Sequence, residues 1–203
     1  MKTPEPIIVT DIIGEVVTAT SNAIVKRNPN KILLQVIQEN ETAALEQQSL
    51  IKNIRYSKSS FDELIETLAQ ADKVDATGGR EYKYPLIHLV RDFAEDYGVV
   101  PGYSIDVSLN IIFVHQTVAA YKIDDRDDKV FKPVLIPIKE EFITQLAKHK
   151  QIVAVHRSKI PYREWKRAFW GTRQLQGAKN KLADYVDAIE LENLKLKIIQ
   201  KPC

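Results

Sequence analysis

Ile105, Val107, Leu109, Ile111 and Phe113 occupy every second position of one stretch, with Asp106, Ser108 and Asn110 among the residues between them. Successive side chains of a strand point to opposite faces, so this spacing predicts a β-strand with one buried face and one wet face. Such a strand needs neighbours. Pro85 to Phe93 reads as an antiparallel partner joined through Gly98 to Gly102; with Pro85 in a first turn, residues 85–97 also suit a helix. The end of the chain is more tightly constrained. Ile189 and Leu191 share one parity, and Leu194, Leu196 and Ile198 the other. One strand can bury all five on the same side only with a β-bulge near Asn193. Ile152 to His156 reads as a further short strand.

The N-terminal part has a different period. Between Asp11 and Arg27 the apolar residues Ile12, Ile13, Val16, Val17, Ala23 and Ile24 form a helical stripe, with Thr10 or Asp11 as N-cap and Asn28-Pro29-Asn30 as the stop. Its β-branched content makes the helix depend on packing. Ile32 to Ile37 suits a short strand, and Glu41 to Ile54 a helix or an extended arm. Ser60 followed by Glu63 is a capping-box pattern, and Phe61, Leu64, Ile65 and Leu68 then share one helical face. Asp72 to Glu81, which contains Gly78-Gly79, reads as a loop. Asp124 to Asp128 reads as a charged loop ending in an N-cap. Val134, Leu135, Ile138, Phe142 and Leu146 then follow at helical spacing, with Pro133 in the first turn and Pro137 bending the start.

A chain of 203 residues is long enough for one domain with a real core. No stretch approaches the ~18 consecutive apolar residues of a membrane span. The segment from Met1 to Pro6 lacks a signal-peptide pattern. The single cysteine, Cys203, is the last residue, so neither an internal disulfide nor a cysteine-based zinc site is expected, which fits folding in a reducing cytosol. Net charge is only +2, but it is unevenly spread. Residues 148–181 hold Lys148, Lys150, Arg157, Lys159, Arg163, Lys166, Arg167, Arg173, Lys179 and Lys181 against the one acid Glu164, whereas acids outnumber bases in residues 38–97. Such separation serves nucleic acid or self-complementary association.

Few residues suggest catalysis. His88 and His115 lie at comparable places in neighbouring strands and would approach one another, but no third ligand is in view and the bland reading, polar positions on strand faces, is preferred. Asp106 with Lys122, or Asp187 with Glu190 and Lys195, fits a metal-dependent nuclease scheme only in the way any highly charged chain does. Gly78-Gly79 lacks phosphate-loop spacing, and no Gly-x-Ser-x-Gly elbow occurs. The basic segment is more informative. Tyr162, Trp165, Phe169 and Trp170 interleave with Arg163, Lys166, Arg167 and Arg173. This composition suits stacking on nucleic acid, a subunit interface with the acidic 38–97 region as partner on another copy, or, for Trp165 and Trp170, an ordinary core. The interface reading is preferred over nucleic acid.

From Lys83 onward the order of elements resembles the tail-completion proteins of tailed bacteriophages, the tail terminators and head-to-tail connectors, of the type found in phages of Bacteroidetes. The resemblance covers roughly residues 83–199. It rests on Lys83-Tyr84-Pro85-Leu86-Ile87-His88-Leu89 with Asp92-Phe93, Ser108-Leu109-Asn110-Ile111-Ile112, Phe131-Lys132-Pro133-Val134-Leu135-Ile136-Pro137-Ile138, Phe169-Trp170-Gly171, Asp184-Tyr185-Val186-Asp187-Ala188-Ile189-Glu190 and Asn193-Leu194-Lys195-Leu196. It favours a strand over a helix at Pro85 to Phe93. It implies an α+β fold with helices against an antiparallel sheet. The chain is then expected to be a single domain, with a helical N-terminal part (1–82) in which Glu41 to Ile54 is a helix or an extended arm, and a sheet-containing core (83–203). The sheet is expected to be mostly antiparallel, with about four strands near 85–93, 104–115, 152–157 and 186–199, covered by a helix at 131–147. It further implies a virion protein of the head–tail junction, without active site, metal or cofactor. Copies would form a ring, a hexamer, against tail tube or sheath and neck proteins, with DNA at most in passing contact and no membrane. Arg157, Arg163, Arg167 and Trp170 are then the candidate residues at the subunit boundary.

Overall fold

The computed structural model describes residues 7–27, 54–71, 83–90, 93–96, 104–155, 160–171 and 183–200. The fold is α+β, and the sheet is mostly antiparallel, but it has seven strands where about four were expected. They are β1 (Arg55–Ser59), β2 (Leu86–Val90), β3 (Ala94–Asp96), β4 (Ser104–Gln116), β5 (Ile152–Val155), β6 (Tyr162–Gly171) and β7 (Ala183–Ile199). The order is β1-β2-β4-β7-β5, with β3 added to β4 beside β2 and β6 added to β7 beside β5. Only β1 and β2 run parallel. The four expected strands are all present, whereas β1, β3 and β6 were not foreseen. β1 extends the sheet into the N-terminal part.

The long pair β4–β7 is the spine. Its register shifts between Leu109 and Ile111, where Asn193 adopts φ 52 and its N–H donates to Asn110 Oδ1 at 2.9 Å. Asn tolerates this left-handed conformation better than most residues. The bulge at Asn193 restores parity: Ile189, Leu191, Leu194, Leu196 and Ile198 are all buried in one core. β2 does not alternate because Leu86, Ile87, His88 and Leu89 are buried on both faces.

One face of the sheet carries the main core. Helix α1 (Val9–Arg27) covers it with Ile12, Ile13, Val16, Val17 and Ile24. It starts at Val9, ahead of the expected Thr10 or Asp11 cap. Gly14 is small for a reason: a Cβ there would stand 3.2 Å from the Tyr56 ring, whose hydroxyl donates to Thr10 O at 2.8 Å. The second cover begins earlier than expected. Asp124 to Asp128 is helical rather than a loop, since α3 (Ile123–Arg126) starts with acids in its first turn, where the helix dipole favours them. A π-helical segment, Asp127–Leu135, follows and leads into α4 (Ile136–Lys148). Pro133 explains the widening, because its missing N–H and its ring are incompatible with a regular α-turn there. The Ile136 N–H accordingly bonds Phe131 O, five residues back. Phe113 of the sheet and Phe142 of α4 meet edge to face, centroids 5.4 Å apart.

The opposite face has a smaller core under α2 (Phe61–Ala71). The capping box is formed as the sequence suggested: the Glu63 N–H donates to Ser60 Oγ and the Ser60 N–H to Glu63 Oε2. Leu64, Ile65, Leu68 and Ala69 pack on Tyr84, Leu86, Val114, Trp170, Val186 and Ala188. The expected strand at Ile32–Ile37, the arm before Ile54, the Asp72–Glu81 loop and the Gly98–Gly102 connection lie outside the described residues.

Candidate functional site

The basic, aromatic segment forms β6, and its two ends differ. Tyr162 to Arg167 are all exposed, Tyr162 at 54% and Trp165 at 41%. Each aromatic is nevertheless held. The Lys139 ammonium lies 4.5 Å from the Tyr162 ring centroid. Trp165 Nε1 donates to Glu190 Oε2 at 3.0 Å, and the Arg163 guanidinium lies 5.4 Å from the Trp165 ring. The cations are also engaged: Arg163 pairs with Glu192 at 2.5 Å, and Lys166 with Asp127 at 2.7 Å. Arg167 lies 5.7 Å from the Tyr185 ring.

Of the four residues expected at a subunit boundary, Arg163 and Arg167 share this exposed ribbon. Trp170 does not. It is only 7% exposed and meets Phe61 of α2 edge to face at 5.3 Å, so its side chain belongs to the smaller core, and the exposed tryptophan of β6 is Trp165. Arg157 lies outside the described residues.

Between the two ends of β6 is a bulge at which Lys166 and Arg167 together oppose Asp187. Arg167 has φ 56, and its backbone N–H donates to Asp187 Oδ1 at 2.7 Å. The same oxygen accepts from Arg126 Nη1 at 2.8 Å. Arg126 also donates to Thr117 Oγ1 and Val118 O. Asp187 is fully buried and Arg126 nearly so, and a buried ion pair of this kind tolerates no loss of one partner. The pair therefore holds the bulge that separates the exposed end of β6 from its covered end, both of which stay paired with β7. Sequence reasoning missed this hub: Arg126 and Asp187 are 61 residues apart, and nothing local marks either. A second carboxylate, Asp184, takes Lys83 Nζ at 2.6 Å and the Tyr84 hydroxyl at 3.0 Å.

His88 and His115 do not approach one another. His88 stands opposite Ile112 on the α2 side, and His115 opposite Asp187 on the other face. Burial pushes both imidazoles down to about 4, with the Asp187 charge opposing the shift at His115. The nuclease-like sets are not assembled either. Asp106 and Lys122 are separated by most of β4, roughly 30 Å of strand. Asp187 is committed to Arg126 and Glu190 to Trp165, while Lys195 lies beyond the Asn193 bulge. Asp106 lines a concavity of about 460 Å³ with Glu95, Asp96, Ser108, Lys195 and Lys197. Among the described residues no group of three or more His, Cys, Asp or Glu side chains is placed to hold a metal, and no helix is long and apolar enough to cross a membrane. Comparison with protein-family models, curated proteins and solved structures finds no match for this chain.

Proposed function

We propose that this chain is a non-enzymatic structural subunit that assembles with copies of itself. Following its resemblance to phage tail-completion proteins, the assembly is a ring of six at the head–tail junction of a virion, between tail tube or sheath and neck. The β6 ribbon is the observation that carries self-assembly. Trp, Tyr and Arg dominate the energetics of protein–protein contacts. Here Tyr162, Arg163 and Trp165 are exposed yet already ordered by Lys139, Glu192 and Glu190. Side chains fixed in advance lose less entropy on docking.

A complementary surface lies on a different element. Asp62 and Glu66 stand one turn apart on the exposed side of α2 and make no ion pair among the described residues. The aromatic surface of β6, with Arg167 as a cation that makes no ion pair among the described residues, meeting an acidic surface elsewhere on the next copy is a head-to-tail contact, the kind that closes into rings. Nucleic-acid binding through residues 148–181 is the other reading. It is less well supported, because Arg163 and Lys166 are already neutralised by Glu192 and Asp127, and a phosphate would have to displace a carboxylate at each.

Electron microscopy and mass photometry of the chain, with and without tail tubes, test the proposal. Rings of constant copy number with β6 against the neighbouring α2 support it. A chain that stays monomeric on tubes overturns it. Steeply salt-dependent DNA binding, abolished by Arg163→Ala with Arg167→Ala, would put the nucleic-acid reading in its place.

A further inference from the structure

Two cations of the ribbon are spent within the chain, since Arg163 and Lys166 pair with Glu192 and Asp127. Others stand further along the same face of the sheet. Past the Asn193 bulge, Leu194, Leu196 and Ile198 point into the main core, which turns Lys195 and Lys197 to the opposite face. That face also carries Trp165 and Arg163, which stand opposite Ala188 and Glu190. Both lysines are exposed, and neither makes a hydrogen bond or ion pair among the described residues. They line the concavity of about 460 Å³, together with Ala154 of β5, Asp106 of β4 and Asp96 of β3. Lys197 stands opposite Asp106 in the ladder, yet the two form no ion pair.

Helix α2 presents the complement. Asp62 and Glu66 are exposed and make no ion pair among the described residues, while the apolar side of the helix is already used on Leu86, Val114 and Val186. Residues one turn apart on a helix stand about 6 Å apart, and alternate residues of a strand about 6.5 Å. Two carboxylates therefore match two ammonium groups in spacing as well as in sign. In its own copy α2 packs at the Val186–Ala188 end of β7, away from these lysines, so a second copy has to bring the four groups together. We propose that the acidic edge of α2 from one copy docks in this concavity on the next, with Asp62 and Glu66 against Lys195 and Lys197. The inference rests on the assembly reading and names the two surfaces that join. Asp96 and Asp106 set the register, because they repel the carboxylates of the helix and keep its acidic edge on the β7 side. The charges steer and align the contact, and Trp165 on the same face supplies apolar area beside them.

The test uses the full chain, with self-association measured by sedimentation velocity and mass photometry, with and without tail tubes. Lys195→Glu with Lys197→Glu, and separately Asp62→Lys with Glu66→Lys, are each expected to weaken association about tenfold, since both set like charges against one another. All four substitutions together leave the net charge at +2 and reverse the polarity of the contact. Association should then return to within about threefold of wild type. Should a reversal fail to fold, the neutral pairs Lys195→Gln with Lys197→Gln and Asp62→Asn with Glu66→Gln take its place. A smaller loss is expected in each of these, and no further loss when they are combined. Unchanged association in either reversed variant, or a combined variant as weak as its parents, overturns the contact and leaves the ring standing. A wild type that forms no assembly removes the ring and the contact together. Reversal at the lysines that abolishes binding of a duplex DNA probe and spares self-association also overturns the contact, in favour of nucleic acid.

Discussion

The two ends of β6 have similar chemistry and opposite fates. Before the bulge, Tyr162, Arg163 and Trp165 stand in solvent, each tied to a neighbour. After it, Trp170 is packed against Phe61 under α2, and Ala168 lies beside the same core. A tryptophan five residues from another is therefore a candidate contact residue in one case and a structural residue in the other. What covers the strand decides between them, and α2 covers only one end.

That comparison can be broken at its hinge. Asp187→Ala leaves the Arg126 guanidinium buried without its counter-charge, which costs on the order of 3–5 kcal/mol. Denaturant unfolding should show this loss, and a value near zero would mean that the ion pair does not anchor the bulge. Trp170→Ala, at the covered end, should cost about 3–5 kcal/mol as well. Trp165→Ala, at the open end, should cost no more than ~1 kcal/mol, in line with its exposed surface polar contacts, while weakening self-association at least tenfold. Equal stability losses at the two tryptophans would erase the distinction drawn between the ends.

The covered side also has a pH signature. Burial holds His88 down to about 4 in the folded chain, below the ~6.5 of an unfolded imidazole. The neutral ring's contribution is thus fully present above about pH 6.5 and is lost as pH falls toward 4, on the order of 3 kcal/mol in all. His115 acts in the same direction. His88→Leu should flatten the stability–pH curve in that window, and an unchanged slope would place the titration elsewhere. The smallest effect is expected at Arg163→Ala. Its pair with Glu192 is half exposed, so stability should change by about 0–1 kcal/mol, whereas the contact proposed for the ribbon should weaken measurably.

The sequence reveals elements whose pattern is local. The alternation of β4, the parity change that demanded a bulge at Asn193, the α1 stripe and the Ser60–Glu63 capping box could all be read from neighbouring residues. β1 and β6 could not. Arg-Tyr-Ser-Lys-Ser has no apolar alternation, and β6 is wet on both faces up to Arg167, so neither shows the period of a half-buried strand. Asp124 to Asp128 looked like a loop because acids are common in turns, yet the same acids stabilise a helix start. The site was legible only in part. Composition singled out the segment that forms β6, but telling the exposed Trp165 from the covered Trp170 needs α2, and Asp187 becomes a hub only through partners far away in sequence.

Arg126, Val130, Val134, Ile138, Phe142 and Leu146 are all buried, each four residues after the last. A regular helix advances 100° per residue, so every step of four overshoots a full turn by about 40°. Five such steps would swing the first residue about 200° from the last, leaving Arg126 pointing away from the sheet that Leu146 faces. The π segment occupies the first half of this run, and its wider turn advances less per residue. It works as a phase corrector, slowing the rotation until a buried cation and a hydrophobic stripe point the same way. The proline that forced the irregularity thus sets the angular timing by which a charge reaches its carboxylate across the core.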